Sequence, residues 1–238
     1  MNDATIRARE LLFETEHLLC EDWHVLCDFD GTVSLSDVTD LLLTRFGRDG
    51  YQELEDQWAN GRIGSRECMG GQIALLDANK AELDAALDTI ELDPAFNEFV
   101  AYATNLGMKL SIVSDGLDYA IQRILSRNGI MELPIFANRL LQTGERQWKL
   151  EFPYAAADCR KASGHCKCVR VDLCQSKQER VLFVGDGGSD FCASGRSDFV
   201  LAKSKLIQYC QQQNIAHQSI DGFAQATQFL RLHFPADD

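Results

Sequence analysis

The stretch that decides the fold is residues 24–32, HVLCDFDGT. Its apolar start predicts a buried strand, and its acidic and glycine residues predict a loop directly after that strand. Residues 108–116, MKLSIVSDG, and residues 180–190, RVLFVGDGGSD, repeat this design. Each is an apolar segment that ends in Asp, Ser or Gly. The polar groups at the three strand ends are therefore the candidates for a shared site.

Helical patterns separate these predicted strands. Residues 117–129, LDYAIQRILSRNG, place apolar side chains at helical spacing and end in a glycine stop. Strands that alternate with helices favour an α/β fold, here a Rossmann-like, doubly wound parallel sheet flanked by helices.

Roughly seventy residues lie between the first and second predicted strands, which is more than one crossover helix needs. This insertion contains four amphipathic segments with Gly or Asn near their breaks: SDVTDLLLTRFG, YQELEDQWANG, SRECMGGQIALL and NKAELDAALDTI. We interpret it as a small helical cap over the strand ends. The predicted domains are an α/β core of residues 1–34 and 107–238 and a cap of residues 35–106.

The first chemical cluster is Asp28, Asp30 and Thr32. If the strand stays extended through these residues, their side chains point to one side. Two carboxylates that close repel each other unless a cation bridges them, which indicates a hard metal with oxygen ligands and favours Mg²⁺. The structural alternative is a polar loop after a strand.

Three later features add to this cluster. Ser114 ends the second apolar segment, and a hydroxyl with backbone amides at a helix start can hold phosphate oxygens. Lys167 can neutralise charge beside a carboxylate, and Asp186 and Asp190 in a glycine-rich turn can bind a metal or orient its waters. Each has an ordinary alternative: a helix cap for Ser114, a solvated side chain for Lys167 and a capped turn for the two aspartates.

The ordered set DFDGT at 28–32, Ser114, Lys167 in GHCKC and GDGGSD at 185–190 resembles the four motifs of the haloacid dehalogenase superfamily of phosphohydrolases. The helical insertion resembles the cap of its phosphoserine-phosphatase-like subfamily IB. WANGRIGSREC, VSDGLDY and DFVLAKSKL are also similar to the branch that contains 2-hydroxy-3-keto-5-methylthiopentenyl-1-phosphate phosphatases of methionine salvage.

The resemblance implies a Mg²⁺-dependent phosphatase that acts on a small phosphorylated metabolite. It implies that Asp28 is the nucleophile and forms an aspartyl phosphate, while Asp30 protonates the leaving oxygen and then activates water. Ser114 and Lys167 would hold the phosphoryl oxygens. The metal ligands would be Asp28, Asp186 and the backbone carbonyl of Asp30.

The resemblance also implies roles for residues around the metal and the substrate. Asp190 would orient metal waters or Lys167. Asp37 stands nine residues after the nucleophile, where phosphoserine phosphatases generally have a Glu that binds the substrate amine, and Gly31 stands where they often have Ser. Phosphoserine is therefore disfavoured, and Asp37 is a candidate specificity residue. Trp58 and Arg66 are other candidate contacts, although the usual burial of tryptophan favours a core position for Trp58.

Other functions stay open at this point. The same scaffold can serve a phosphomutase or another phosphotransferase, or a non-catalytic metabolite-binding module. A dehalogenase is less favoured because Mg²⁺ ligands serve little purpose where no phosphate must be neutralised.

The composition limits the partners. The formal net charge is −13 and the sequence pI is about 4.8, so nucleic acid and anionic membrane surfaces are not expected to bind. No secretory signal or membrane span is predicted, which favours a cytoplasmic location. The sequence does not predict an oligomeric state.

The nine cysteines are scattered through predicted helices and strands, which favours reduced thiols over a disulfide framework. A zinc site at Cys159, His165, Cys166 and Cys168 is less favoured than ordinary packing, because the Cys-x-Cys spacing is tighter than is usual for zinc ligands.

Overall fold

The computed structural model describes residues 20–159 and 161–234. Within them, seven strands are assigned: β1 Trp23–Cys27, β2 Lys109–Leu117, β3 Ile135–Gly144, β4 Gln147–Glu151, β5 Arg180–Gly185, β6 Phe199–Ala202 and β7 His217–Ser219. Their order in the sheet is β4-β3-β2-β1-β5-β6-β7. β3 and β4 pair antiparallel, whereas β1 pairs parallel with β2 and β5, and β6 pairs parallel with β5 and β7. The predicted α/β fold with a mostly parallel sheet is confirmed.

The helical insertion after β1 is also confirmed. It contains α1 Val38–Phe46, α2 Tyr51–Ala59, α3 Ser65–Ala74 and α4 Lys80–Leu87, and α5 Phe96–Asn105 leads into β2. The remaining helices are α6 Asp118–Arg127, α7 Lys167–Gln175, α8 Phe191–Ser194, α9 Ser204–Gln213 and α10 Phe223–His233. None of the helices in the described part of the chain combines the length and the apolar content that a membrane span requires.

The chain divides into two compact units. The first holds the described residues up to Val33, together with Leu92–Ile112 and those from Lys167 onward, and the second holds Ser34–Glu91 and Val113–Cys166. Strand β2 therefore contributes to both. The domain boundaries predicted from the sequence stay a prediction.

The first unit contains the parallel strands β1, β5, β6 and β7 and the first part of β2. Strands β5 and β6 are buried almost continuously along their length, which is typical of the central part of a parallel sheet covered by helices. Phe223 of α10 packs against Phe96 and Phe99 of α5, with ring centroids 4.7 and 5.0 Å apart. These helices cover apolar surface, so the unit has its own core.

The second unit contains the four helices of the insertion together with α6 and the β3–β4 hairpin. Local capping explains where two of its helices begin. The side chain of Asp37 accepts a hydrogen bond from the backbone N–H of Asp40 at the start of α1. Asn79 and Glu82 form a reciprocal capping box at the start of α4.

Candidate active site

The first candidate residue, Asp28, directly follows β1. Its backbone N–H still donates to Val184 O of β5 at 2.9 Å, which extends the strand pairing by one residue. The chain then turns, with Val33 N donating to Phe29 O at 2.9 Å and Gly31 at φ +72°. The extended backbone through Asp30 and Thr32 that the sequence suggested is therefore not formed, because the chain turns at the glycine.

Asp186 and Asp190 lie in the turn between β5 and α8. Asp186 is the first residue after β5, and Asp190 is fully buried directly before α8. One carboxylate oxygen of Asp190, Oδ2, accepts the backbone N–H groups of Asp186 and Gly187 at 3.0 and 3.1 Å. Asp190 therefore holds the turn that carries Asp186 in place.

Lys167 is the first residue of α7 and is almost fully buried. Its Nζ lies 2.7 Å from Oδ1 of Asp28 and 2.7 Å from Oδ1 of Asp190, and it donates to Oγ of Ser189 at 3.1 Å. The structure thus brings Asp28, Lys167 and Asp190, which lie far apart in the sequence, into one charged cluster.

Burial dominates the electrostatics of this cluster. It raises the pKa of the Asp28 carboxyl well above its ordinary value, and Asp190 raises that pKa further, while Lys167 opposes both. Burial and Asp190 also raise the pKa of Asp186. For Lys167, burial alone would lower the pKa, but the charges of Asp190 and Asp28 outweigh it and raise the pKa. The cluster therefore has more negative charge than Lys167 alone stabilises.

The donor set fits a hard divalent cation. Oxygen atoms of Asp28, Asp186 and Asp190 lie within 4.8 Å of one another. Carboxylate oxygens are the ligands that Mg²⁺ prefers, and a divalent ion would neutralise the excess negative charge. Both oxygens of Asp190 already accept hydrogen bonds, which suits this residue to orienting its neighbours.

Two further side chains support this site: Thr32, which the sequence placed in the first cluster, and Lys203, which the sequence did not indicate. Oγ1 of the buried Thr32 donates to Oδ1 of Asp186 at 3.3 Å. Nζ of the buried Lys203 donates to the backbone carbonyls of Gly31 and Thr32 at 3.0 and 3.1 Å. Lys203 directly follows the apolar strand β6. Its position after a fourth apolar segment is the sequence feature that could have indicated a role at this site.

Ser114 belongs to the second unit and is buried within β2, three residues before the strand ends. The sequence predicts that Ser114 ends the strand, with a helix after Asp115 and Gly116; the backbone instead stays extended to Leu117, and α6 begins at Asp118. Its Oγ accepts the backbone N–H of Gly116 at 2.9 Å. Its backbone carbonyl lies 3.1 Å from Nδ1 of the buried His165.

Asp115, the residue after Ser114, connects several elements of the second unit. Its Oδ1 accepts the backbone N–H of His165 at 2.8 Å and Nδ2 of Asn138 at 3.2 Å, and its Oδ2 accepts Oγ of Ser65 at 3.1 Å. Asp115 therefore ties the strand that carries Ser114 to helix α3 and to the segment before α7.

The other candidates are more exposed. Asp30 is half-buried in the turn after Asp28, whereas Asp37 is exposed and caps α1. Trp58 is 45% exposed, so the expectation of a core position for it is wrong. Arg66 is exposed as well.

Comparison with known proteins identifies the family. Residues 24–222 match the family model described as Putative Phosphatase. The chain belongs to this family. A 2-hydroxy-3-keto-5-methylthiopentenyl-1-phosphate phosphatase from Exiguobacterium sp. strain AT1b is 30% identical over 211 residues, which cover 87% of this chain and 97% of the relative.

Solved structures agree on the fold of this phosphatase. A phospho-aspartyl intermediate analogue of phosphoserine phosphatase superposes with a TM-score of 0.66 at 17% identity, covering 87% of this chain and 98% of that chain. A HAD family hydrolase from Salmonella enterica serovar Typhi superposes with a TM-score of 0.70 at 19% identity, covering 98% and 80%. The predicted haloacid dehalogenase resemblance is confirmed, and the protein is a phosphoric monoester hydrolase.

Proposed function

We propose that this phosphatase hydrolyses a small phosphorylated metabolite through a covalent aspartyl phosphate on Asp28. The observation that carries the proposal is the buried contact of 2.7 Å between Asp28 and Lys167. An anionic nucleophile approaches a phosphate dianion only when positive charge stands beside both, and Lys167 supplies such a charge where water is excluded.

In the first step, a carboxylate oxygen of Asp28 attacks phosphorus and the ester P–O bond breaks. Asp30 donates its proton to the leaving oxygen, so the product departs as an alcohol. Asp30 is half-buried in the turn that follows Asp28, a position that supports access to both substrate and solvent.

In the second step, water attacks the phosphorus of the aspartyl phosphate. Asp30, now a carboxylate, takes the proton from that water, and inorganic phosphate leaves as the carboxylate of Asp28 is restored. In the proposal Lys167 and the hydroxyl of Ser114 hold the phosphoryl oxygens during both steps.

The residues that would hold Mg²⁺ are Asp28, Asp186 and the backbone carbonyl of Asp30, and Asp190 would orient the metal waters or Lys167. When bound, the ion would neutralise phosphate charge and polarise a phosphoryl oxygen. Thr32 supports this assignment, because its hydrogen bond holds the Asp186 carboxylate in a fixed orientation.

The first substrate to test is 2-hydroxy-3-keto-5-methylthiopentenyl-1-phosphate, since relatives at 25–30% identity carry that name. Asp37 remains the candidate specificity residue in this proposal, because its side chain is exposed at the start of α1.

Phosphate release from a panel of phosphorylated metabolites, with Mg²⁺ and with excess chelator, tests the reaction. We expect turnover that the chelator abolishes. The variant Asp28→Asn should lose at least about 10³-fold in kcat and should no longer acquire a phosphoryl group in acid-quenched protein analysed by mass spectrometry.

The exposed Asp49 provides the control, since Asp49→Asn should turn over normally. Normal activity in Asp28→Asn, or a phosphoryl group trapped on another residue, would contradict the covalent mechanism.

A further inference from the structure

A second group of metal-ligating side chains lies in the first unit, outside the catalytic cluster. It consists of His24 in β1, Cys174 near the end of α7 and Glu179 directly before β5. One ligand atom from each lies within 4.8 Å of the others. Cys174 is buried, and the side chains of His24 and Glu179 are 14% and 11% exposed.

Two distances in this group are close to the edges of a tetrahedron of zinc ligands. Nδ1 of His24 lies 3.4 Å from Sγ of Cys174 and 3.1 Å from Oε2 of Glu179. With ordinary zinc bond lengths, tetrahedral coordination separates a nitrogen from a sulfur ligand by about 3.6 Å and from an oxygen ligand by about 3.4 Å. These two distances would therefore lengthen by only a few tenths of an ångström on metal binding, and the third, between Sγ of Cys174 and the carboxylate oxygen of Glu179, is no longer than 4.8 Å.

In His24 and Glu179, the nitrogen or oxygen atom that would not bind the metal already has a hydrogen-bond partner. Nε2 of His24 lies 2.8 Å from Oγ of Ser111, which orients the imidazole ring. Nζ of Lys109 donates to Oε1 of Glu179 at 2.5 Å, so Oε2 is the oxygen directed at His24. Such outer partners are typical of metal-binding histidines and carboxylates.

We propose that His24, Cys174 and Glu179 form a second metal site, which binds a divalent transition metal with Zn²⁺ as the preferred ion. A thiolate and an imidazole are ligands that suit Zn²⁺, whereas Mg²⁺ prefers oxygen. The sulfur and nitrogen donors therefore separate this site chemically from the all-oxygen cluster around Asp28. A water molecule would occupy the fourth position of a tetrahedral ion.

The metal would join three elements of the first unit. Helix α7 contacts the β1 segment at both clusters: Lys167 contacts Asp28, directly after β1, and Cys174 contacts His24 within β1. A metal at the second site would hold the C-terminal part of the helix whose first residue is Lys167, and it would stabilise the folded protein by mass action.

Metal binding must displace a proton. Burial raises the pKa of the Cys174 thiol to about 11, and Glu179 contributes in the same direction. Arg170 and Lys177 oppose this, and Lys109 pairs with Glu179. Since the thiolate is the ligand, binding near neutral pH releases a proton and strengthens as the pH rises.

Titration of the metal-stripped protein with Co²⁺ tests the site, because a thiolate ligand gives a sulfur-to-cobalt charge-transfer absorption. We expect one equivalent to produce this band, Zn²⁺ to remove it and excess Mg²⁺ to leave it. Cys174→Ser should abolish the band, and the variants His24→Gln and Glu179→Gln should each weaken Co²⁺ binding at least about tenfold.

Two control variants test whether the absorption band comes from this site. Cys192→Ser removes an exposed cysteine elsewhere and should leave the band unchanged. Asp28→Asn should also leave it unchanged, because the catalytic cluster contains no sulfur. If Cys174→Ser does not fold by circular dichroism, His24→Gln and Glu179→Gln decide the question through the same titration.

A wild-type protein that shows no sulfur band, or a band that survives loss of Cys174 or of both His24 and Glu179, overturns the proposal. A band that is lost instead in Cys166→Ser would place the sulfur ligand in the segment 159–168. The cysteines and the histidine of that segment are absent from the converging groups found among residues 20–159 and 161–234.

Discussion

In each of two clusters in the described part of this protein, one cation contacts two aspartates, and the two clusters differ in how deeply the cation is buried. In the catalytic cluster, Nζ of Lys167 is 2.7 Å from both Asp28 and Asp190, and the lysine side chain is 2% exposed. In a helical cluster of the second unit, Arg123 contacts Asp84 at 3.3 Å and Asp88 at 2.8 Å, and its side chain is 32% exposed.

Similar groups have opposite pKa shifts in the two clusters. Burial raises the pKa of Asp28 despite the adjacent Lys167, whereas the hydrogen bond from Arg123 lowers the pKa of Asp88, which faces water. The two pKa shifts differ because of solvation. A buried carboxylate loses its hydration, and one neighbouring cation does not compensate several carboxylates for that loss. The buried cluster thus holds carboxylates that a single cation does not fully stabilise, as a site for a divalent metal requires. The helical cluster is an ordinary surface network of ion pairs.

The largest effect is expected when the buried cation is removed. Lys167→Met leaves Asp28 and Asp190 without their shared cation, so we expect a loss of about 3–5 kcal/mol in the free energy of unfolding. The value of kcat/KM should fall at least about 10³-fold. Urea denaturation and phosphate release measure the two effects. A variant as stable as the wild type would show that the buried pair contributes little.

The next effect tests the close packing around the buried carboxylates. A methyl group on Gly31 would lie 2.8 Å from Oδ2 of Asp186, and the residue has φ +72°. We expect Gly31→Ala to lower kcat about 100-fold. Gly129 is the matched control, since it has φ +79° and open space around the added atom.

Gly129→Ala should therefore show only the backbone strain, about 1–2 kcal/mol of stability, with kcat within about twofold of the wild type. Equal losses of kcat in the two variants would show that strain, and not the contact with Asp186, causes the effect.

A smaller effect is expected for Thr32→Val, which keeps the shape of the side chain and removes the hydrogen bond to Asp186. Activity should fall about tenfold, with a higher Mg²⁺ concentration needed for half-maximal rate. Thr32→Ser should recover most of the loss. Thr104→Val removes an exposed helical hydroxyl and should have no effect on the Mg²⁺ dependence.

The smallest effect is expected in the helical cluster. Arg123→Met should reduce stability by roughly a third or less of the loss in Lys167→Met, because exposed pairs are solvated. Phosphatase activity should be retained.

The pH dependence of that difference follows from the pKa directions. Burial would raise the pKa of Asp84, but Lys80, Tyr119 and Arg123 together lower it below its ordinary value of 3.8. A lowered carboxyl pKa contributes stability above pH 3.8 that is lost as the pH falls through the folded value. The difference in urea midpoint between wild type and Arg123→Met should therefore stay constant near neutral pH and shrink as the pH falls below 3.8. A difference that grows in acid would contradict this assignment.

The helices of the insertion and the strands β1, β2 and β5 could be predicted from the sequence, because helical periodicity and apolar runs are local signals. The hairpin of β3 and β4 was not predicted. Its alternating residues around Gly144 and Arg146 contain a hairpin signal, but no chemical motif drew attention to it.

The acidic motifs also indicated which residues carry the chemistry, since Asp28, Asp186 and Lys167 each stand next to a recognisable apolar segment or glycine turn. Only the tertiary structure decided how they are held: the turn at Gly31, the two hydrogen bonds from Lys203 and the contact of Thr32 with Asp186. The same is true of the group formed by His24, Cys174 and Glu179, whose members are separated by up to 155 residues. Local sequence determines backbone preference and side-chain chemistry, whereas contacts between distant residues depend on how the strands and helices pack.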